Sequence, residues 1–179
     1  MPPIELQHQI KAAIRNVPDF PKVGIQFKDI TPILQNSQLC TQMLDFVAQQ
    51  CAKLNIEAVA AIESRGFMFG FPLALRLGVP FVPIRKKGKL PYHVYTYDYA
   101  LEYGTATIEA HTDAIAPNTR VLIHDDLLAT GGTAGASAEL VKLLGGTVAG
   151  FSFLVELDFL GGRKKLEAYT KEITTLVNY

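Results

Sequence analysis

One stretch limits what this chain can fold into more than any other: Val121-Leu122-Ile123-His124-Asp125-Asp126-Leu127-Leu128-Ala129-Thr130-Gly131-Gly132-Thr133. Val121 to Ile123 is the short apolar run of a strand buried on both faces of a parallel sheet. Asp125 and Asp126 are expected just past the carboxyl end of that strand, where open α/β sheets bind their ligands. Leu127 to Thr133 is small, uncharged and glycine-rich, and a helix with apolar periodicity follows from Thr133 to Leu144, ended by Gly145-Gly146. A loop that feeds a helix N-terminus points free backbone N–H groups at one spot and suits a phosphate. Adjacent carboxylates would repel that phosphate but can accept hydrogen bonds from two sugar hydroxyls. Acceptors for a diol beside donors for a monophosphate, helped by the hydroxyls of Thr130 and Thr133, describe a ribose 5-phosphate. The acid pair alone also fits a metal-binding strand end or a solvated turn; the glycine loop beside it favours the sugar phosphate.

The rest of the chain supplies one domain, residues 1–179, long enough to bury a sizeable core. Seventeen basic residues balance seventeen acidic ones, so bulk charge offers nothing to a nucleic acid or an anionic membrane. No apolar run reaches the roughly 18 residues of a membrane span. The opening Met1-Pro2-Pro3-Ile4-Glu5 lacks the pattern of a signal peptide. Cys40 and Cys51 fall eleven residues apart in one predicted helix, too far to bridge, which points to free thiols in a reducing, cytoplasmic setting.

Hydrophobic spacing predicts helices over Ile4–Ile14, Leu39–Leu54 and a buried one over Gly66–Leu77, stopped by Gly78. Strands are predicted at Ala58–Ile62, Phe81–Ile84 and Val148–Val155, with a last strand-like piece near Ile173–Val177. The segment from Phe20 to Pro32, broken by Pro21 and Gly24, reads as irregular, and its phenylalanines fit either a stacking surface or pins in the core. Glu63-Ser64-Arg65-Gly66-Phe67 hands a strand to a helix at the ligand-binding edge of the sheet, where an arginine offers a planar fork to phosphate oxygens or simply a surface charge. Arg85-Lys86-Lys87-Gly88-Lys89-Leu90-Pro91 is the only dense cationic run. Tyr92 to Tyr103 holds five of the seven tyrosines without helical periodicity, and Thr105 to Ala110 alternates like an exposed strand, so a long hairpin-like loop over the site is expected. Such a lid excludes water from a reactive centre.

The run from Asp125 to Thr133 resembles the phosphoribosyl pyrophosphate (PRPP) motif of the type I phosphoribosyltransferases, in the form typical of the adenine phosphoribosyltransferase family. Glu63–Phe67, Arg85–Pro91 and Leu101-Glu102-Tyr103-Gly104 match that family in the same order and spacing. His124 departs from it, standing where an aliphatic residue is usual, and Lys28 often has arginine as its counterpart. The resemblance implies a doubly wound α/β fold with a mostly parallel sheet of about five strands, a small N-terminal hood (about residues 18–35) and a flexible lid loop (about 85–106). It implies transfer of the 5-phosphoribosyl group from PRPP to adenine with magnesium as cofactor, the metal on pyrophosphate and ribose hydroxyls rather than held directly by the protein, in an enzyme that is commonly a homodimer.

Residue by residue, the resemblance makes Glu102 the general acid/base for a purine nitrogen, with Arg65 and Tyr103 at the reaction centre. PRPP falls to Asp125, Asp126, Ala129, Thr130, Gly131, Gly132 and Thr133, to Glu63, Ser64 and Arg65, and to Arg85, Lys86 and Lys89. Adenine falls to Ile25, Gln26, Phe27 and Lys28 in the hood, and to Leu127 and Leu157. The resemblance also implies a cis peptide at Glu63–Ser64. Rival expectations are a transferase for a 6-oxopurine, xanthine or orotate, against which the Leu-Glu-Tyr-Gly setting of Glu102 argues, and a PRPP-sensing regulator on the same fold.

Overall fold

The computed structural model describes residues 2–101 and 104–179, apart from the Leu101 side chain. Glu102 and Tyr103 therefore lie outside the described residues. The elements run α1 (Ile4–Ala13), β1 (Arg15–Pro18), β2 (Gln26–Asp29), α2 (Ser37–Cys51), β3 (Ala58–Ile62), α3 (Gly66–Leu77), β4 (Phe81–Lys86), β5 (Val94–Leu101), β6 (Gly104–His111), β7 (Arg120–Leu128), α4 (Gly132–Leu143), β8 (Thr147–Glu156), α5 (Gly162–Leu166) and β9 (Ile173–Asn178).

Every residue of β3 is buried, as an apolar strand between two helical layers must be. Its alternate side chains serve different cores. Ala58, Ala60 and Ile62 join Val121, Ile123 and the α4 residues Ala134, Ala138 and Val141 on one face. Val59 and Leu122 join Met43 and Val47 of α2 and Phe69 and Leu73 of α3 on the other. The sheet is thus wound on both faces, as expected.

Strand number differs from the expectation. The main sheet has seven strands in the order β5-β6-β4-β3-β7-β8-β9. Five of them, β4 through β9 in that order, are parallel. The other two are the predicted lid loop: Val94–Leu101 and Gly104–His111 pair antiparallel along their whole length, and β6 joins β4 through Arg85↔Glu109 and Lys86↔Ile108. Alternating Tyr95, Tyr97 and Tyr99 supply a period of two that suits a strand, and the partner strand supplies the ladder.

The hood differs too. The segment read as irregular is partly a hairpin, with Arg15–Pro18 antiparallel to Gln26–Asp29. Its prolines stand where no ladder bond is needed: Pro18 ends β1 and Pro21, after a cis peptide, is in the connecting turn. Phe20 and Phe27 meet edge to face with ring centres 5.1 Å apart. No helix among the described residues is long and apolar enough to cross a membrane. Cys40 and Cys51 are unpaired.

Candidate functional site

The sequence places the acid pair beyond a strand end; the structure puts it inside one. Strand β7 continues to Leu128 because β8 pairs with it that far, through Leu128↔Glu156. On its other side β7 loses its neighbour early, since pairing with β3 stops at Ala61↔His124. Asp125 and Asp126 follow at once, so the acids stand where one edge of a central strand opens into a cleft. Space there depends on Gly66 at the start of α3: a Cβ on it would lie 2.9 Å from Asp125 Oδ1 and 3.2 Å from the His124 carbonyl.

The cleft measures about 710 Å³. Glu63, Ser64 and Arg65 line it from the β3–α3 turn, Lys86 and Lys87 from the end of β4, the acid pair from below, and Thr133 from α4, while Tyr99 of the hairpin contributes from the lid. A smaller hollow of about 210 Å³ adjoins it, formed by Arg65, the acid pair and residues Leu127–Ala134. These are the residues from which the sequence leads one to expect a phosphate cradle. Gly131 holds φ +73° before the first helical residue of α4, and no side chain caps the helix, so the N-terminal N–H groups are open to a ligand.

Electrostatics divides the site into two. Burial raises the Asp125 carboxyl well above its usual range, and the neighbouring Asp126 charge raises it further. Burial also raises Asp126, which is 4% exposed, although Arg65 opposes the shift. Arg65 Nε lies 3.0 Å from Asp126 Oδ2. That pairing is one of charge, because among the described residues Oδ2 accepts no hydrogen bond. The Arg65 guanidinium also sits 5.0 Å from the centre of the Phe27 ring, so one side chain bridges the acid pair and the hood. The Glu63–Ser64 peptide beneath it is cis, as the resemblance implies.

The cationic run is held by two carboxylates. Glu63 binds the Arg85 fork through Nε at 3.2 Å and Nη2 at 3.0 Å, and accepts from the Lys86 backbone N–H at 3.1 Å. The Arg85 hydrogen bonds hold the Glu63 carboxyl below its ordinary value. Arg85 further donates to the Lys89 carbonyl at 2.8 Å, so its guanidinium braces the loop from within. Glu109, only 2% exposed, accepts from the backbone N–H groups of Gly88, Lys89 and Leu90 at 3.0, 2.8 and 2.7 Å. Arg85 and Lys89 are absent from the residues lining the cleft, whereas Lys87, which the sequence did not single out, is among them.

In the hood, Phe27 is half-buried, Gln26 is exposed and Ile25 is 43% exposed. The Lys28 ammonium bonds Asn16 Oδ1 of β1 at 2.6 Å and lies 3.8 Å from the Tyr179 ring centre, so this side chain is committed to those two residues. Leu127 and Leu157 pack half-buried against the core under α2 and α3, close in the fold because the Leu157 N–H donates to the Leu128 carbonyl at 2.9 Å.

His124 faces that same core. Its Nδ1 meets Ser152 Oγ at 2.7 Å, directly across the β7–β8 ladder, and its Nε2 is buried without a partner among the described residues. Burial lowers its pKa to about 4, so the ring is neutral. Glu109, Lys87, Tyr99 and Ser152 escaped the sequence reading.

Comparison with known proteins agrees with this geometry. Residues 27–178 match the family model of the phosphoribosyl transferase domain. The chain is 53% identical to an adenine phosphoribosyltransferase of Cytophaga hutchinsonii over 97% of this chain and 96% of the relative. The crystal structure of the adenine phosphoribosyltransferase of Thermoanaerobacter pseudethanolicus superimposes with a TM-score of 0.93 at 51% identity, covering 97% of this chain and 99% of that one. The Saccharomyces cerevisiae enzyme, solved with an imino-altritol bisphosphate and adenine, gives a TM-score of 0.89 at 40% identity over 97% and 99% of the two chains. By sequence and by fold together, the chain belongs to the phosphoribosyltransferase family, among the adenine phosphoribosyltransferases.

Proposed function

We propose that this chain transfers the 5-phosphoribosyl group of PRPP to adenine, forming AMP and pyrophosphate in purine salvage. The observation that carries the reading is the acid pair on β7 beside the uncapped start of α4. Acceptors and donors stand there in the order that ribose hydroxyls and a 5-phosphate require.

The bond from the ribose anomeric carbon to the pyrophosphate oxygen breaks, and a bond to a ring nitrogen of adenine forms as that nitrogen loses its proton. Positive charge grows on the sugar between these events. The protein contributes chiefly position and charge stabilisation. Asp125 and Asp126 hold the ribose hydroxyls and favour the cation-like carbon. Residues Ala129–Thr133 fix the phosphate. Arg65, Lys86 and Lys87 face the cleft where pyrophosphate leaves, with Ser64 beside them. Phe27 offers a ring face for the purine, and Arg65 vacates that face as it turns to the leaving group. Ile25, Gln26 and the Lys28 main chain frame the purine edge, and Leu127 and Leu157 its floor. Glu102 takes the proton and Tyr103 serves at the reaction centre, roles that rest on the family motif alone.

Magnesium is the cofactor we assign. The assignment follows the family resemblance, and the acid pair lining the cleft offers hard oxygens to the waters of such an ion. When bound, the ion spreads the charge of the pyrophosphate.

We further assign a cytoplasmic homodimer, supported by the unpaired thiols and by Met68, Phe71 and Leu75, a stripe on α3 exposed by 45%, 51% and 66%. This helix was expected to be buried, and only one of its faces is. The deciding assay is pyrophosphate release from PRPP and magnesium with adenine, hypoxanthine, guanine or orotate as acceptor. Release with adenine alone supports the reading; a preference for another base, or no turnover, removes it.

A further inference from the structure

Strand β5 turns Tyr97 and Tyr99 to its half-buried side and exposes the alternate residues Thr96, Asp98 and Ala100. Tyr99 stands opposite Ala106 in the hairpin ladder, packs against the core beneath α4 and reaches the cleft. Its hydroxyl lies 3.2 Å from Thr133 Oγ1. The neighbouring Ala100 carbonyl also approaches the start of α4, 4.0 Å from where a Cβ on Gly132 would be. The hairpin therefore touches the phosphate cradle at the residue whose hydroxyl faces both.

Each hydroxyl has one proton to give and two lone pairs to receive. With the cradle empty, either can be the donor. A phosphate oxygen has no proton to offer at its charged positions, so it takes the proton of Thr133. Thr133 Oγ1 is then left to accept, and Tyr99 must donate. The bonds run in one direction from lid to ligand, each polarising the next.

We propose that Tyr99 is a positioning residue that latches the β5–β6 hairpin onto the phosphate cradle, and that a bound sugar phosphate tightens this latch by fixing the direction of the Tyr99–Thr133 hydrogen bond. The inference rests on the reading of Ala129–Thr133 as a 5-phosphate site. The variant that isolates it is Tyr99→Phe, which keeps the packed ring and removes only the hydroxyl.

Ribose 5-phosphate is the probe, added at a concentration shown by calorimetry to saturate each protein, with amide hydrogen exchange read over Val94–Leu101 and Gly104–His111. The wild type should gain protection there on binding. Tyr99→Phe should bind the probe and lose most of that gain, and its KM for PRPP should rise about three- to tenfold with kcat changed less than about twofold. Equal ligand-induced protection in both proteins, or none in the wild type, overturns the latch. Exchange needs no turnover, so a wild type that ignores adenine but shows the protected hairpin would sink the proposed reaction and leave the latch standing.

Discussion

Gly162 abuts the Ala129 carbonyl so closely that a Cβ there would lie 2.2 Å from the oxygen. Gly131 meets the same neighbour from the other side, its own Cβ position being 2.9 Å from the Gly162 carbonyl. The glycine loop that we propose holds the phosphate is therefore backed by the start of α5, a part of the chain that carries no recognisable motif. A methyl group at 162 has backbone on the far side and must push the cradle outward. Gly162→Ala should lose about 1–3 kcal/mol of stability through overpacking and raise the KM for PRPP roughly tenfold. Gly161, with φ +66° and nothing within 4 Å of its Cβ position, is the control: Gly161→Ala should lower the melting temperature and leave KM alone. Matching KM values in the two variants would show that the contact does not shape the cradle.

Glu109 is the second hidden support. Burial alone would raise its carboxyl, but the N–H groups of Gly88, Leu90 and Lys89 together outweigh it and leave the group below its ordinary 4.5. A folded value below the unfolded one adds stability that is complete above pH 4.5 and disappears as the pH falls through the folded value. Glu109→Gln should thus cost about 1–3 kcal/mol at neutral pH and flatten the acid end of the stability curve, because an amide cannot receive three donors as a carboxylate does. With the basic loop loosened, pyrophosphate binding should weaken more than kcat falls. Denaturant melts across pH 3 to 7 and PRPP kinetics check both halves.

Most of the layered fold was legible because its signals are local and redundant. Ala58–Ile62 is apolar throughout, Gly78 stops α3 with a left-handed cap, and the glycine loop announces a helix start. The acid pair and the cradle came from the same stretch of sequence, so their neighbourhood needed no tertiary information. The strand boundary at Asp125 was misjudged because charge at a strand's end reads as exit; only the pairing of β7 with β8, and not β3, keeps the chain extended there. The hairpin was legible in outline, with Thr105–Ala110 strand-like, but Val94–Leu101 did not read as a strand because its strand character depends on the ladder between β5 and β6. Contacts that cross the chain, such as Glu109 with residues 88–90 or Gly162 with Ala129, left almost no mark in the sequence. They are set by backbone approach, which side-chain type hardly reports.

His124 gives a prediction with a different pH window. Burial holds its folded pKa near 4, against an ordinary 6.5, so the folded ring stays neutral while the unfolded chain takes up a proton. Stability should fall as the pH drops below 6.5 and level off near 4, by on the order of 3 kcal/mol in all. Replacing both members of the cross-strand pair, His124→Val with Ser152→Ala, removes the titrating group, the orphan nitrogen and the stranded hydroxyl together. The double variant should be at least as stable as the wild type at pH 7 and lose the slope between pH 6.5 and 4. An unchanged slope in calorimetric scans would mean that some other group titrates there.

Arg65 couples the acid pair to the pH at which the enzyme works. Burial raises Asp126, and the guanidinium 3.0 Å away is the largest influence pulling it back. Only the ionised pair is free to accept two ribose hydroxyls, so activity should fall on the acid side as these carboxylates protonate. Arg65→Ala removes the opposing charge as well as the fork we propose for the leaving group. It should cut kcat at least about a hundredfold and also move the acid limb of kcat/KM for PRPP to higher pH, because an uncompensated buried carboxylate takes its proton more readily. Arg65→Lys keeps the charge but not the fork, and should lose rate while leaving the limb near its wild-type position. Asp126→Asn should raise the KM for PRPP more than it lowers kcat. Should the limb stay fixed in Arg65→Ala, with the fold confirmed by circular dichroism, the acid pair is not the group that sets the profile, and Arg65 would serve the pyrophosphate alone.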